Sequence, residues 1–186
     1  MTSFTEQQPS IETTRLMLRA LIPADAKSVQ QLAGDAYIAA MTDNIPHPYE
    51  DGMAEAWIER CALLWARGSS ATYAICLKNT GELIGCCGLT IVKRHCRASL
   101  GYWVGREHWG NGYCTEAARA VVEFGFTGLQ LHRIAAMHLT KNPASGAVMQ
   151  KIGMKHEATL TGYVLKNDIF EDMESFTIFS HNYQAN

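Results

Sequence analysis

No two cysteines of this chain stand in a CxxC spacing and no two histidines in HxxxH, although it has six of one and seven of the other. A zinc site therefore has no support from spacing, and no metal is expected. A disulfide framework is equally absent. Cys86 and Cys87 are adjacent, and Cys61, Cys76, Cys96 and Cys114 lie scattered in a 186-residue chain long enough to build a core without staples. They read as small buried hydrophobes of a reducing compartment, which makes the cytoplasm the expected location. No run of about 18 apolar residues is available to span a membrane. The opening MTSFTEQQPS lacks the apolar centre of a signal peptide. An excess of one charge is also missing. A net charge of -2 argues against a protein that grips nucleic acid through its overall field. Two phosphate motifs are absent as well: GxxxxGK[ST] does not occur, and GxGxxG fails because Thr115 stands where a third glycine belongs.

What is present is a regular alternation of element signals. Residues 15–20 (RLMLRA) alternate like a strand, and ADAKSVQQLA after Pro23 has helical spacing. A turn-rich loop, TDNIPHPYED, precedes a helix from about Asp51 that ends at Gly68 and places Met53, Trp57, Cys61 and Leu64 on one face. Strands over 72–77 and 82–92 are joined by KNTG, and a further strand covers 98–104. A helix over 113–127 buries Ala117, Val121 and Phe124 and leaves Glu116, Arg119 and Glu123 wet. A strand over 133–139 leads to a short helix with Asn142 as N-cap, Pro143 at its first position and Gly153 just past its end. Strands near 156–165 and 171–181, joined by KND, close the chain. Consecutive strands without helices between them disfavour a doubly wound sheet and point to a mixed sheet in an α+β domain. With no repeat, linker or internal boundary, one domain over residues 1–186 is expected, about 1–10 being a polar extension.

Between strand and helix lies WGNGYCTEA, residues 109–117. Two glycines and an asparagine permit positive φ, which turns successive N–H groups to one side. The helix that follows adds unpaired amides and the positive end of its dipole. Together they suit a phosphate, held by backbone because the loop has no lysine or arginine. Taken alone, such a segment reads first as a plain turn before a helix. Cys114, at the helix start, reads as packing rather than as an activated thiol.

GYWVGREHWGNGYCTEA (101–117) and NPASGAVMQKIGM (142–154) are the specific parts of a resemblance that runs from ETTRLMLR, near residue 12, to the last strand. The chain resembles the GNAT N-acetyltransferases, within them the RimJ/RimL-type group that acetylates protein N-termini. The resemblance implies a GNAT fold whose strands 98–104 and 133–139 splay apart around acetyl-CoA. The cofactor residues it implies are Trp109, Gly110, Asn111, Gly112, Tyr113, Cys114 and Thr115 around the pyrophosphate, the backbone of Trp103 and Val104 for the pantetheine, and Asn142 on the same arm. The superfamily loop [Q/R]xxGx[G/A] has Trp109 at its first position here and Cys114 at its last. Ser145 is placed near the thioester sulfur, and the amide of Val104 at the oxyanion. Asn142 alone reads as an N-cap, which needs only the side-chain oxygen and can leave the amide for the cofactor, so the two roles can coexist.

Direct attack of an amine on a thioester needs a free amine, donors for the oxyanion and a proton for the thiolate. Relatives often supply that proton from a tyrosine seven residues after the asparagine, a position that is Met149 here, which leaves Ser145. Many relatives carry a glutamate base where this chain has Ser99. Ser99 orients a water at most. His47, Tyr49, Glu50, His95 and His138 are the other candidates, each read first as a surface or packing residue. Weak base chemistry suits an α-amine, so a protein N-terminus is the expected acceptor. A small amine such as a polyamine or antibiotic, or non-catalytic sensing of acyl-CoA, is the alternative, in a monomer or homodimer.

Overall fold

In the computed structural model, which describes residues 7–183, an eight-stranded mixed sheet is covered by helices on both faces. The strands are β1 (Ile11–Glu12), β2 (Leu16–Ala20), β3 (Ser70–Leu77), β4 (Leu83–Val92), β5 (Arg97–Val104), β6 (Arg133–Leu139), β7 (Lys155–Lys166) and β8 (Ile169–Phe179). Their order in the sheet is β1-β2-β3-β4-β5-β6-β8-β7. Among the described residues, only β5 and β6 run parallel. The helices are α1 (Ala26–Ala33), α2 (Ala36–Met41), α3 (Met53–Ala66), α4 (Tyr113–Thr127) and α5 (Pro143–Lys151). The expected α+β mixed sheet is what forms. No helix among the described residues is long and apolar enough to cross a membrane. Most of the polar extension expected over 1–10 lies outside the described residues.

Alternation along the strands separates two packed layers. Leu16, Leu18, Tyr73, Ile75, Leu89, Leu100, Ile134 and Phe176 share one cluster with Ala117, Val121 and Val122 of α4 and Met149 of α5. Ala74, Cys76 and Leu83 face the other way, against Val29 of α1 and Ala54 and Ile58 of α3. Of the cysteines, Cys76, Cys86 and Cys87 are buried as expected, whereas Cys96 is exposed.

Several details differ from the sequence reading. A short helix, α2, precedes the turn-rich loop, started by the Asp35 carboxylate, which accepts the N–H groups of Tyr37 and Ile38. The buried face of α3 is turned by one residue, to Ala54, Ile58 and Trp65, the last of which belongs to the larger cluster. Val122 joins Val121 under α4, where Phe124 is only partly buried. The last hairpin turns tightly on Asn167 and Asp168, both at positive φ, so Ile169 and Phe170 are strand residues. The helix signals at α5 are matched: Asn142 caps it, Gly153 sits at φ +89°, and Met154 packs back into the core.

Candidate active site

The parallel pairing of β5 with β6 covers only four rungs, from Arg97·Arg133 to Leu100·Ala136. Beyond Leu100 the two strands part, each still held by its outer neighbour, β4 or β8. The result is the fork that the resemblance implies. Backbone direction inside it follows from the β4 ladder. The Gly105 N–H donates to Ile84 C=O at 2.8 Å, which makes that rung a hydrogen-bonded pair. Antiparallel pairs alternate, so Trp103 is bonded to Cys86, while Tyr102 and Val104 turn their N–H groups away from β4 and into the fork. The backbone groups of Trp103 are therefore taken by the sheet, and the N–H groups that open into the fork are those of its neighbours Tyr102 and Val104. The Val104 carbonyl accepts the Trp109 indole N–H at 2.6 Å, which leaves its own N–H.

At the mouth of the fork, Gly110 and Gly112 both sit at φ +77°, the left-handed region in which glycine is unstrained. No partner within the described residues accepts from the backbone N–H groups of Gly110, Asn111, Gly112, Tyr113, Cys114 or Thr115. The first bond back from α4 is Glu116 N–H to Gly112 C=O. A Cβ at Gly110 would meet open space, and one at Gly112 only Arg15 Nη2, at 3.6 Å. Six amides at a helix N-terminus beside open space fit a pyrophosphate. Trp109 and the Asn111 side chain support this loop from behind, the latter donating to His108 and Trp109 carbonyls at 3.2 Å. Burial pushes the Cys114 thiol up to about 12, so it stays protonated and packs, as read.

The expectation that no cation serves the loop holds within it but not around it. Arg15, ahead of β2, donates from Nη1 to Asn111 C=O at 2.9 Å and from Nε to Glu116 at 2.7 Å, with its guanidinium over the Tyr113 ring. Glu116 also accepts from the Thr13 hydroxyl at 2.6 Å and the Arg15 N–H at 2.8 Å. It is therefore a staple between the chain's start and the loop, not a member of the wet face. Burial pushes the Glu116 carboxyl up, yet the bonds from Thr13 and Arg15 outweigh it and hold the group below its usual range. A depressed folded-state pKa adds stability above the unfolded value, near 4.3, that disappears as pH falls through the folded value. The melting temperature of Glu116→Gln is expected below wild type at pH 7, with the gap closing towards pH 3. A gap independent of pH would contradict this.

Farther in, the two faces of the fork differ. On the α4 and α5 face, the Tyr102 hydroxyl lies 3.0 Å from both the Ser145 hydroxyl and the Ser145 carbonyl. Burial raises the Tyr102 pKa well above the ordinary phenol. Asn142 accepts the Ser145 N–H at 3.2 Å and donates its amide to Met41 C=O at 2.9 Å. One of the two amide hydrogens is thus committed, a bond that could not be read from the cap motif, because its partner ends α2, 101 residues away. Lys166 joins the same helix end, bonding the carbonyls of Ala39 and Thr42. Met149 is fully buried, a core residue. On the opposite face Ser99, Gly101 and Met137 lie exposed as a ledge. Of the other proton-carrier candidates, His95 lies in the turn at the far end of β5, and His47 and Glu50 are exposed in the loop before α3. Tyr49 packs with α1 and α3, and His138 alone stands in the fork.

A forked parallel pair with a phosphate-ready helix N-terminus at its mouth is the architecture of an acyl-CoA-dependent transferase. The chain belongs to the GNAT family: residues 15–155 match the acetyltransferase (GNAT) domain. It is 30% identical over 177 residues to the uncharacterized N-acetyltransferase YoaA of Bacillus subtilis, covering 91% of this chain and 96% of that one. The putative ribosomal N-acetyltransferase YdaF of the same organism is 24% identical over 178 residues, covering 91% and 94%. Among solved structures, RimL, a ribosomal α-N-protein acetyltransferase in complex with coenzyme A, superimposes with a TM-score of 0.85. That match has 20% identity and covers 92% of this chain and 98% of RimL. The protein is an acetyl-CoA-dependent N-acetyltransferase.

Proposed function

We propose that the acceptor is the α-amine of a protein N-terminus. The observation that carries this reading is the composition of the exposed ledge: Ser99, Gly101 and Met137 line the amine's approach, and none of them stores a proton. Freeing a lysine amine at pH 7 costs about 4.6 kcal/mol, against about 1.4 kcal/mol for an α-amine of pKa near 8. A site that takes its acceptor already deprotonated therefore favours the α-amine. The Gly110–Thr115 amides hold the pyrophosphate, with Trp109 and Asn111 shaping the loop. The pantetheine runs along Tyr102 and Val104, and the Val104 N–H faces the carbonyl oxygen as negative charge grows there. Asn142 positions Ser145 and ties the cofactor's end of α5 to α2. Ser145 and its Tyr102 partner line the sulfur's side, and Ser99 orients water on the amine's side.

Competition between two peptides of one sequence tests the acceptor, one with a free N-terminus and no lysine, the other with a blocked N-terminus and one lysine. The α-amine is expected to be acetylated at least about 100-fold faster at pH 7, in keeping with the roughly 3 kcal/mol difference in deprotonation. Faster modification of the lysine overturns the proposal. Preference for a polyamine or aminoglycoside over both peptides moves the acceptor to the small amines.

A further inference from the structure

Leu100 and Ala136 form the last rung between the parallel strands, and both side chains lie in the cluster beneath α4 and α5. Two residues on, strand alternation puts Tyr102 on one prong of the fork and His138 on the other, facing the same way. Tyr102 holds Ser145. His138 is 7% exposed, and its ring is fixed on three sides. Its Nδ1 lies 2.8 Å from the Leu139 carbonyl, which only accepts, so Nδ1 carries a proton in every charge state. Phe176 lies alongside, centroids 5.7 Å apart and planes 30° apart. Nε2 points at the first turn of α5, where Gly146 makes room: a Cβ there would stand 2.6 Å from Nε2. Nε2 is thus the one atom of the ring free to gain or lose a proton.

The remaining groups that face this ring are accounted for. Tyr102 on β5 and Ser145 on α5 bond each other. Glu174 stands opposite His138 on β8 and is engaged by His156 at 2.6 Å and Thr159 at 2.9 Å. His156 itself packs across Phe176. A cofactor seated on the N-terminus of α4 enters from this face, so its sulfur departs here while the amine arrives across the ledge of Ser99 and Gly101. An alcohol, and a phenol whose pKa burial raises, both keep their protons near neutral pH; an imidazole exchanges its own there.

Resting on the reading of this fork as the thioester site, we propose that His138 is the catalytic acid that protonates the departing sulfur from Nε2. As the amine nitrogen bonds to the acetyl carbon and the carbon–sulfur bond breaks, the sulfur takes the Nε2 proton and the imidazole becomes neutral. The proton shed by the acylated nitrogen passes to solvent, and solvent recharges Nε2.

His138→Asn retains a donor for the Leu139 carbonyl and removes Nε2. Its kcat is expected to fall at least about 100-fold, with acetyl-CoA affinity within about threefold of wild type. A second measurement uses the wild type alone: the imidazole nitrogen resonances of His138 with coenzyme A and with desulfo-coenzyme A. Nε2 is expected to shift with the first and not with the second; equal responses overturn the proposal, whether or not the variant folds. If the wild type neither binds coenzyme A nor releases thiol with any amine, the reading of the fork fails. If it does both and His138→Asn keeps more than about a third of its kcat, the assignment of His138 alone falls.

Discussion

Gly112→Asp weakens acetyl-CoA binding by at least about 100-fold, roughly 2.7 kcal/mol, while leaving the fold intact. Gly112 sits at φ +77°, where most L residues lose about 1–2 kcal/mol, but aspartate and asparagine are the side chains that best tolerate that region. The space a Cβ would enter is open apart from Arg15 Nη2, so little is lost to crowding. The large effect is electrostatic. A carboxylate on the loop opposes the pyrophosphate and offers Arg15 a rival partner, in a place where six amides and a helix terminus favour negative charge. Gly112→Asn separates the two causes, because it has the same shape and backbone demand without the charge. Its affinity is expected within about tenfold of wild type, and its melting temperature should match that of the aspartate variant within about a degree. Equal loss from both substitutions would assign the effect to backbone strain and remove the charge argument.

The second large effect falls on the other side of the fork. At Gly85 a Cβ would collide with the carbonyl oxygen of Trp103 and stand 2.8 Å from the Cα of Val104. Both atoms belong to the backbone of β5, so no rotamer relieves the contact. Gly85→Ala therefore pushes the last rung of β4 and β5 apart. Overpacking of this kind costs about 3 kcal/mol, which for a domain of this size lowers the melting temperature by about 6–12 °C. The same displacement moves the Val104 N–H, and a shift approaching 1 Å in such a donor costs about 100-fold in rate. Activity is accordingly expected to fall even at temperatures where the variant is fully folded. If Gly85→Ala loses stability but keeps kcat, Val104 does not serve the oxyanion.

Local signals explain what was legible in the sequence. Gly110 and Gly112 advertise the loop because positive φ is cheap only for glycine, and Asn142, Pro143 and Gly153 mark both ends of α5 by capping chemistry. Helix α2 was missed because six residues, Ala36–Met41, are too few to show a period, and its one local mark is the Asp35 cap. The Arg15–Glu116 staple and the Asn142–Met41 bond each span 101 residues, a distance at which no spacing rule operates. Tyr102, not Trp103, opens its N–H into the fork for a subtler reason. Which of two neighbouring amides faces the gap depends on whether the Ile84·Gly105 rung is hydrogen-bonded, and only the paired ladder shows that. The family match located the cofactor because its marks are short and contiguous. The proton carriers stayed open because Ser145, Tyr102 and His138 come from three separate elements.

Backbone amide resonances recorded with and without acetyl-CoA test the central claim most directly, that the fork and the amides at its mouth hold the cofactor. The amides of Gly110 to Thr115, together with those of Tyr102 and Val104, have no partner within the sheet or helix. On saturation they should shift and become protected from hydrogen exchange, while that of Trp103, already bonded to β4, keeps its protection. Saturable binding that leaves Gly110–Thr115, Tyr102 and Val104 unprotected would contradict it.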